Sequence, residues 1–492
     1  MNRLIACPLR IAARTTPDRI ALSDPDRSMT FAEWDAAAVG TVESFQAGGI
    51  LPGQAVAVLG RNSIDYAVLF FAALRYGLIL TPLNTRLTVA DWRQQLSAVH
   101  CRLVVADREF QPQAIDLGIP SVSMTNIIAG TAADVDRDVE VEMPPDRDAL
   151  LIFSSGSTGR PRGVVLTGGN LYFSALGLAT ILPPGPEDVW LAVLPFFHIG
   201  GISILYRAAL GACGVHIRPC FDAADVLETL APARITLLPL VPTMLGELLA
   251  ADSANLLRGL KAIIVGGAAF DASLRREAEA KRLPILTTYG QTETASMVTI
   301  LDKSDRPELW STAGRVLPYR EIMIASDDGE PVPAGTMGRI LVRGEVVAGR
   351  LLAGLQVRCR PEDWFDTGDN GVMNASGYLK VMGRGDSIIV SGGENIDLTR
   401  IEAILTGVSG VKGAVVLARA DKKWGHRPVA FVEPSGEDIS EERIREELGA
   451  QLPRFMHPDR IIIVRPLPLT ATGKYDRAAL RERYAKILGV DD

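Results

Sequence analysis

The chain has 492 residues, 47% apolar and 22% charged, with a net charge of −7. A single hydrophobic core stops growing near about 250–300 residues, so several lobes are required, and the composition excludes disordered, collagen-like and fibrous chains. Acids and bases are interspersed without a basic surplus, which disfavours a general nucleic-acid binder.

The first residues, MNRLIACPLRIAARTTPDR, are interrupted at Pro8 and lack the continuous apolar core of a secretory signal. AVAVLG (55–60) reads as a buried strand. The stretch 66–80, YAVLFFAALRYGLIL, reads as a buried helix; it is too short to span a membrane and carries Arg75. LILTPLN (78–84) and RLVVAD (102–107) continue a strand-then-helix rhythm. A second cycle runs through VWLAVLP (189–195), RITLLPL (234–240) and KAIIVGG (261–267). This rhythm predicts an α/β fold, a large N-terminal body of doubly wound α/β lobes. From about Glu321 the alternation and turn residues predict a small antiparallel sheet. Beyond 387, IIVSGGENIDLTRIEAIL, GAVVLARA, PVAFVEP and a charged helix near 440–450 read as a smaller α+β C-terminal domain. The five cysteines are scattered and odd in number, which fits a reducing cytoplasm rather than a disulfide framework. The five histidines form no HxxxH or HExxH pair, so a zinc site is not expected.

The strongest chemical signal is SSGSTGRPRG (154–163), between the apolar runs ALLIF and VVLT. Small residues let backbone amides approach an anion, and hydroxyls and arginines add donors and charge, as a polyphosphate requires. It is not a Walker A loop, because GxxxxGK[ST] is absent here and no helix follows directly. Linkers seldom sit between two apolar strands, which argues against a mere Ser/Gly spacer.

These ten residues resemble the phosphate loop of the adenylate-forming superfamily: acyl-CoA synthetases, peptide-synthetase adenylation domains and luciferases. PFFHIGG (195–201), VGGAAF (265–270), YGQTETA (289–295), WFDTGD (364–369), GRGDSIIVSGGENI (383–396) and PLTATGK (468–474) resemble its other motifs, in order and over nearly the whole chain. The resemblance implies ATP, Mg2+ and coenzyme A as ligands and a small carboxylic acid as substrate. It implies an adenylation body over 1–383, a hinge over 384–386 that includes Asp386, and a mobile domain over 387–492. It assigns nucleotide contacts to Ser154, Ser155, Gly156, Ser157, Thr158, Gly159, Arg162, Gly267, Ala268, Tyr289, Gly290 and Thr292, and ribose contacts to Asp369 and Arg384.

Glu293 has a physical reading as well. An ATP enzyme needs a carboxylate for magnesium, with waters and phosphate completing the shell; read alone, Glu293, Asp369 and Arg384 would be solvated loop charges. His198 lies among Phe196, Phe197 and Ile199, where a lone histidine is more often a core residue than a catalyst. The resemblance puts it at the acyl pocket with Gly266 and Gln291. Lys474 would ordinarily be a surface lysine. The resemblance makes it the ammonium that meets carboxylate and α-phosphate during adenylation.

Four segments, PLNTRLTVADW (82–92), GGNLYFSA (168–175), STAGRVLP (311–318) and DKKWGHRPVAFV (421–432), are most similar to the o-succinylbenzoate–CoA ligases of menaquinone biosynthesis. Arg207 is the only charge in GGISILYRAALGAC (200–213), and a buried charge needs a partner. It suits either the second carboxylate of that substrate, or a structural ion pair or a side chain that snorkels to solvent. A CoA ligase for another aromatic, alicyclic or medium-chain acid, and a luciferase-like monooxygenase, remain open, as does a homo-oligomer. With 18 residues after Lys474, a carrier-protein module is not expected. The sequence departs from the family at Arg162, where lysine is usual, at Gly385, and at 397–400, DLTR, near the CoA tunnel of relatives.

Overall fold

The computed structural model describes residues 4–128, 141–155, 161–268, 270, 272–302, 304–305, 307–353, 355–358, 360–384, 387–391, 394–421, 424–436, 439–452, 454–470 and 474–489; at some of these, Ser154, Ser155, Pro161 and Arg384 among them, it describes the backbone alone. Two large sheets carry the N-terminal body. In the first, parallel strands Ser121–Ser123, Cys101–Ala106, Ala55–Leu59, Ile79–Pro82 and Asp148–Ser155 are extended by antiparallel Pro161–Thr167, Arg350–Ala353 and Leu355–Arg358. Every residue of Ala55–Leu59 is buried, as expected where helices cover both faces of a parallel strand.

Helix Ile64–Tyr76 starts at Ser63, whose hydroxyl accepts from Tyr66 N–H at 3.2 Å. It is shorter than the sequence predicts. Gly77 adopts φ +83 and ends it, and Leu80 belongs to the strand Ile79–Pro82. The apolar run is continuous through both elements, so hydrophobicity alone does not mark the boundary. The glycine does.

In the second sheet Ile20–Ser23, Gly214–Ile217, Val189–Ala192, Leu237–Leu240, Ala262–Val265 and Ile285–Tyr289 run parallel. Antiparallel Ser28–Thr30 closes one edge, and Thr299–Ile300 and Arg315–Val316 the other. The expected small antiparallel sheet is four-stranded: Arg320–Ala325, Met337–Gly344, Phe365–Met373 and Leu379–Arg384.

The C-terminal α+β unit has five strands, with Arg460–Ile463 parallel to Gly425–Pro434 in an otherwise antiparallel sheet. Strand alternation gives it two cores. Ala414, Val416, Ala430 and Val432 pack with Leu398, Ile401, Leu405, Ile444 and Leu448 on one face. Val415, Leu417, Val429 and Phe431 pack with Leu480 and Leu488 on the other. Among the described residues, both cores draw only on positions after 387. No described helix is long and apolar enough to cross a membrane. Cys7, Cys101, Cys213 and Cys220 are unpaired; Cys359 lies outside the described residues.

Candidate active site

Parallel strands present their carboxyl ends on one edge of a sheet, where α/β proteins bind ligands. Three predicted motifs lie there. Val189–Ala192 leads to Phe196, Phe197 and His198; Ala262–Val265 leads to Gly266, Gly267 and Ala268; Ile285–Tyr289 leads to Gly290, Gln291, Thr292 and Glu293. Gly266 N–H donates to Leu240 O at 3.2 Å, and Gly267 turns away with φ +79. A Cβ on Gly290 would lie 1.6 Å from Ser296 O, so only glycine lets the next turn fold back. Glu293 therefore sits on a 3-10 turn, Thr292–Thr294, and not at the end of a strand.

Glu293 is 8% exposed, and its carbonyl accepts from Ala348 N–H at 2.8 Å. Among the described residues no three His, Cys, Asp or Glu cluster as a protein-only cage for a metal. One buried carboxylate beside the Thr292 hydroxyl is still a fitting donor set for magnesium, which keeps waters and substrate phosphates as its other ligands.

Tyr289 Oη donates to Asp369 Oδ2 at 2.7 Å, and Gln291 Nε2 to Thr367 O at 3.3 Å. Burial, then the Asp369 charge, push the Tyr289 phenol well above its usual range, so it is a fixed donor. Asp369 is paired in backbone register with Arg384, which brings a third motif beside the first two.

His198 caps helix Ile199–Gly211 without a side-chain capping bond, and its ring meets Phe197 edge-on at 4.7 Å. Burial, then the charges of Lys474 and Arg86, push its pKa down to about 4. The neutral imidazole thus stands where the second sheet (His198), the first sheet's loop (Arg86) and the C-terminal unit (Lys474) converge. Lys474 itself is exposed, in a hairpin where Thr470 N–H donates to Lys474 O at 2.7 Å.

Arg207 lies on the His198 helix, 3% exposed, and its Nε, Nη1 and Nη2 have no hydrogen-bond partner among the described residues. Burial pushes its pKa down to about 10. Among the described residues no structural ion pair accounts for it. One turn before it, Ser203 is 4% exposed and its Oγ also lacks a partner. Arg320 behaves differently: its guanidinium donates to the carbonyls of Pro318, Phe173 and Met297. Burial, then the charge of Arg207, push Arg320 down to about 9, which puts two buried cations in one region.

The phosphate loop closes a hairpin. Arg162 faces Ser154 and Pro161 faces Ser155 across antiparallel strands. Gly156, Ser157, Thr158 and Gly159 lie outside the described residues, as do Gly385 and Asp386. The DLTR departure has a local cause: Asp397 caps helix Leu398–Thr406, accepting from Thr399 N–H at 2.8 Å and Arg400 N–H at 3.3 Å. Sequence reasoning missed Ser203 and Arg320. A serine four residues before an isolated arginine shares its helix face, and that spacing was the available signal for Ser203.

The family model for AMP-binding enzymes matches residues 9–352, and that for the AMP-binding enzyme C-terminal domain matches 400–474. A 2-succinylbenzoate–CoA ligase of Bacillus cereus is 32% identical over 470 residues, 95% of this chain and 96% of the relative. The o-succinylbenzoate–CoA synthetase of Bacillus subtilis, in complex with the acyl-adenylate intermediate, superimposes with a TM-score of 0.90 at 29% identity, covering 97% of this chain and 98% of that one. Its complex with ATP and magnesium gives 0.90, covering 97% and 100% at 29% identity. A double mutant of that enzyme bound to a product analogue gives 0.73, at 29% identity and covering 98% and 99%.

Proposed function

The chain belongs to the AMP-binding enzymes, as an AMP-forming acid–CoA ligase, and from that premise we propose that its acid is o-succinylbenzoate. The observation that carries the choice is Arg207, a buried guanidinium without a counter-ion among the described residues, on the helix that His198 begins. An unpaired buried charge is costly, and a second substrate carboxylate supplies the missing anion. The succinyl carboxylate is the one activated, near His198, Gly266 and Gln291.

In the first half-reaction that carboxylate attacks the α-phosphate of ATP and pyrophosphate leaves. The 154–159 loop, Arg162 and Thr292 hold the phosphates; Gly267, Ala268, Tyr289 and Gly290 line the nucleotide; Asp369 and Arg384 take the ribose hydroxyls. Magnesium at Glu293, when bound, neutralises charge on the polyphosphate. Lys474 bridges the approaching carboxylate and the α-phosphate, and the neutral His198 ring packs beside the acyl group. In the second half-reaction the CoA thiol attacks the acyl carbonyl and AMP leaves.

Residues 1–383 form the body, 384–386 the hinge, with Asp386 its pivotal residue, and 387–492 the unit that turns. Lys474 lies within charge range of His198. That arrangement suits adenylation, and it agrees with the TM-score of 0.90 to the acyl-adenylate complex against 0.73 to the product-analogue complex. The few, scattered cysteines, together with the use of ATP and CoA, support a cytoplasmic location. A panel of aromatic, alicyclic and medium-chain acids, assayed for pyrophosphate release with and without CoA and for oxygen uptake, tests the proposal. o-Succinylbenzoate should give the highest kcat/KM, with thioester as product. A monocarboxylate that outperforms it, or CoA-independent oxygen consumption, overturns it.

A further inference from the structure

The hairpin that carries Lys474 is closed on itself and tied to the rest of its unit. Within it, Asp476 N–H donates to Pro468 O at 2.8 Å, and Leu469 and Tyr475 form an antiparallel bridge. Tyr475 lies on Gly413, where a Cβ would come 1.8 Å from its hydroxyl. Leu467 N–H donates to Glu433 Oε2 at 3.1 Å, while Lys412 holds the other oxygen at 2.6 Å.

The strongest tie comes three residues after Lys474. Arg477 Nη2 lies 2.6 Å from each oxygen of Glu402, in the middle of helix Leu398–Thr406. Arg477 Nη1 donates to Val416 O at 3.1 Å, and Val416 N–H returns a bond to Glu402 Oε1 at 2.6 Å. Helix, strand and hairpin foot are thus closed into one ring of bonds. Its members are distant in sequence, Glu402 and Arg477 being 75 positions apart.

We propose that the Glu402–Arg477 pair is the positioning device of Lys474, acting on adenylate formation and not on thioester formation. The proposal rests on Lys474 being the adenylating lysine. An ammonium on an exposed hairpin assists the reacting carboxylate only while it is held in register with it. The pair aligns the backbone on which that ammonium stands. In the second half-reaction Lys474 has left the site, so its alignment no longer matters to the rate.

The test uses the full-length enzyme in both half-reactions: pyrophosphate release from ATP and o-succinylbenzoate, and thioester formation from synthetic acyl-adenylate and CoA. Glu402→Gln keeps the size of the side chain and removes its charge. It should slow adenylate formation by about tenfold to a hundredfold, the cost of misplacing a reacting group by around 1 Å. Thioester formation should stay near wild type, which also reports that the variant is folded. Arg477→Lys keeps the charge but loses the fixed guanidinium that holds Glu402 with Nη2 and the Val416 carbonyl with Nη1, and should give the same split. In a Lys474→Ala background Glu402→Gln should add nothing to the adenylation defect, because the group it positions is gone. Equal loss in both half-reactions, or additive losses in the double variant, reduces the pair to a structural strut and overturns the proposal. An unimpaired Lys474→Ala single variant is a separate result: it removes the lysine's assigned role and the proposal with it.

Discussion

The phenol of Tyr289 donates to the carboxylate of Asp369 at 2.7 Å, joining two motifs that are 80 positions apart. The bond fixes the rotamer of a carboxylate assigned to the ribose hydroxyls. Tyr289→Phe should raise the KM for ATP about tenfold, the value of one hydrogen bond to a charged group, with kcat less affected. Initial-rate kinetics over an ATP series check this. A fall in kcat at unchanged KM would mean that the phenol acts on the chemical step instead.

Arg207 makes a paired prediction about stability and selectivity. Its pKa is pushed down from 12.5 to about 10 by burial, so keeping it charged at neutral pH costs the folded protein on the order of 3 kcal/mol. Arg207→Met should therefore raise the Tm of the ligand-free enzyme. It should also raise the KM for o-succinylbenzoate by about tenfold to a hundredfold, with the KM for ATP little changed. Differential scanning calorimetry and acid-series kinetics give both numbers. A lower Tm, or an equal loss toward a monocarboxylate analogue, would show that the guanidinium serves packing.

His198 predicts a pH dependence of stability. Burial, then Lys474 and Arg86, lower its pKa from 6.5 to about 4. Between those values the unfolded chain binds a proton that the folded protein does not. Stability therefore rises with pH across that window, by at most ~1.4 kcal/mol per pH unit from this residue, and is independent of it above. Denaturant unfolding at pH 4.5, 5.5 and 6.5 should show a shallower slope in His198→Gln than in wild type. Identical slopes would place the ring in contact with solvent.

Lys474 is expected to separate the two half-reactions. A carboxylate approaching the triphosphate at about 4 Å is repelled by roughly 4 kcal/mol per charge pair at an effective dielectric of 20. Losing a preorganised charge that offsets this costs about a hundred- to a thousandfold in rate. Lys474→Ala should lose most adenylate formation yet convert synthetic acyl-adenylate and CoA to thioester at near the wild-type rate. Parallel loss of both in a folded variant would count against alternation of the C-terminal unit.

Much of this protein was legible along the chain. Apolar runs separated by glycine and small residues fixed the alternation of strands and helices, because burial and turn geometry act over a few residues. The phosphate loop of 154–163 between two strands, the isolation of Arg207 and the change to antiparallel texture near 320 were visible for the same reason. The end of helix Ile64–Tyr76 was less clear, since apolar character continues straight into a buried strand. What the order of residues did not contain was pairing at a distance. Arg207 and Arg320 are both buried arginines, yet three backbone carbonyls satisfy Arg320 and, among the described residues, none reaches Arg207. Glu402 finds Arg477, and Tyr289 finds Asp369, only once separate strands and helices are packed. Hydrophobic pattern is a property of neighbours in sequence, whereas the balance of charge in a buried site depends on which elements the fold brings within about 4 Å, and so the partners of these groups were decided by tertiary structure alone.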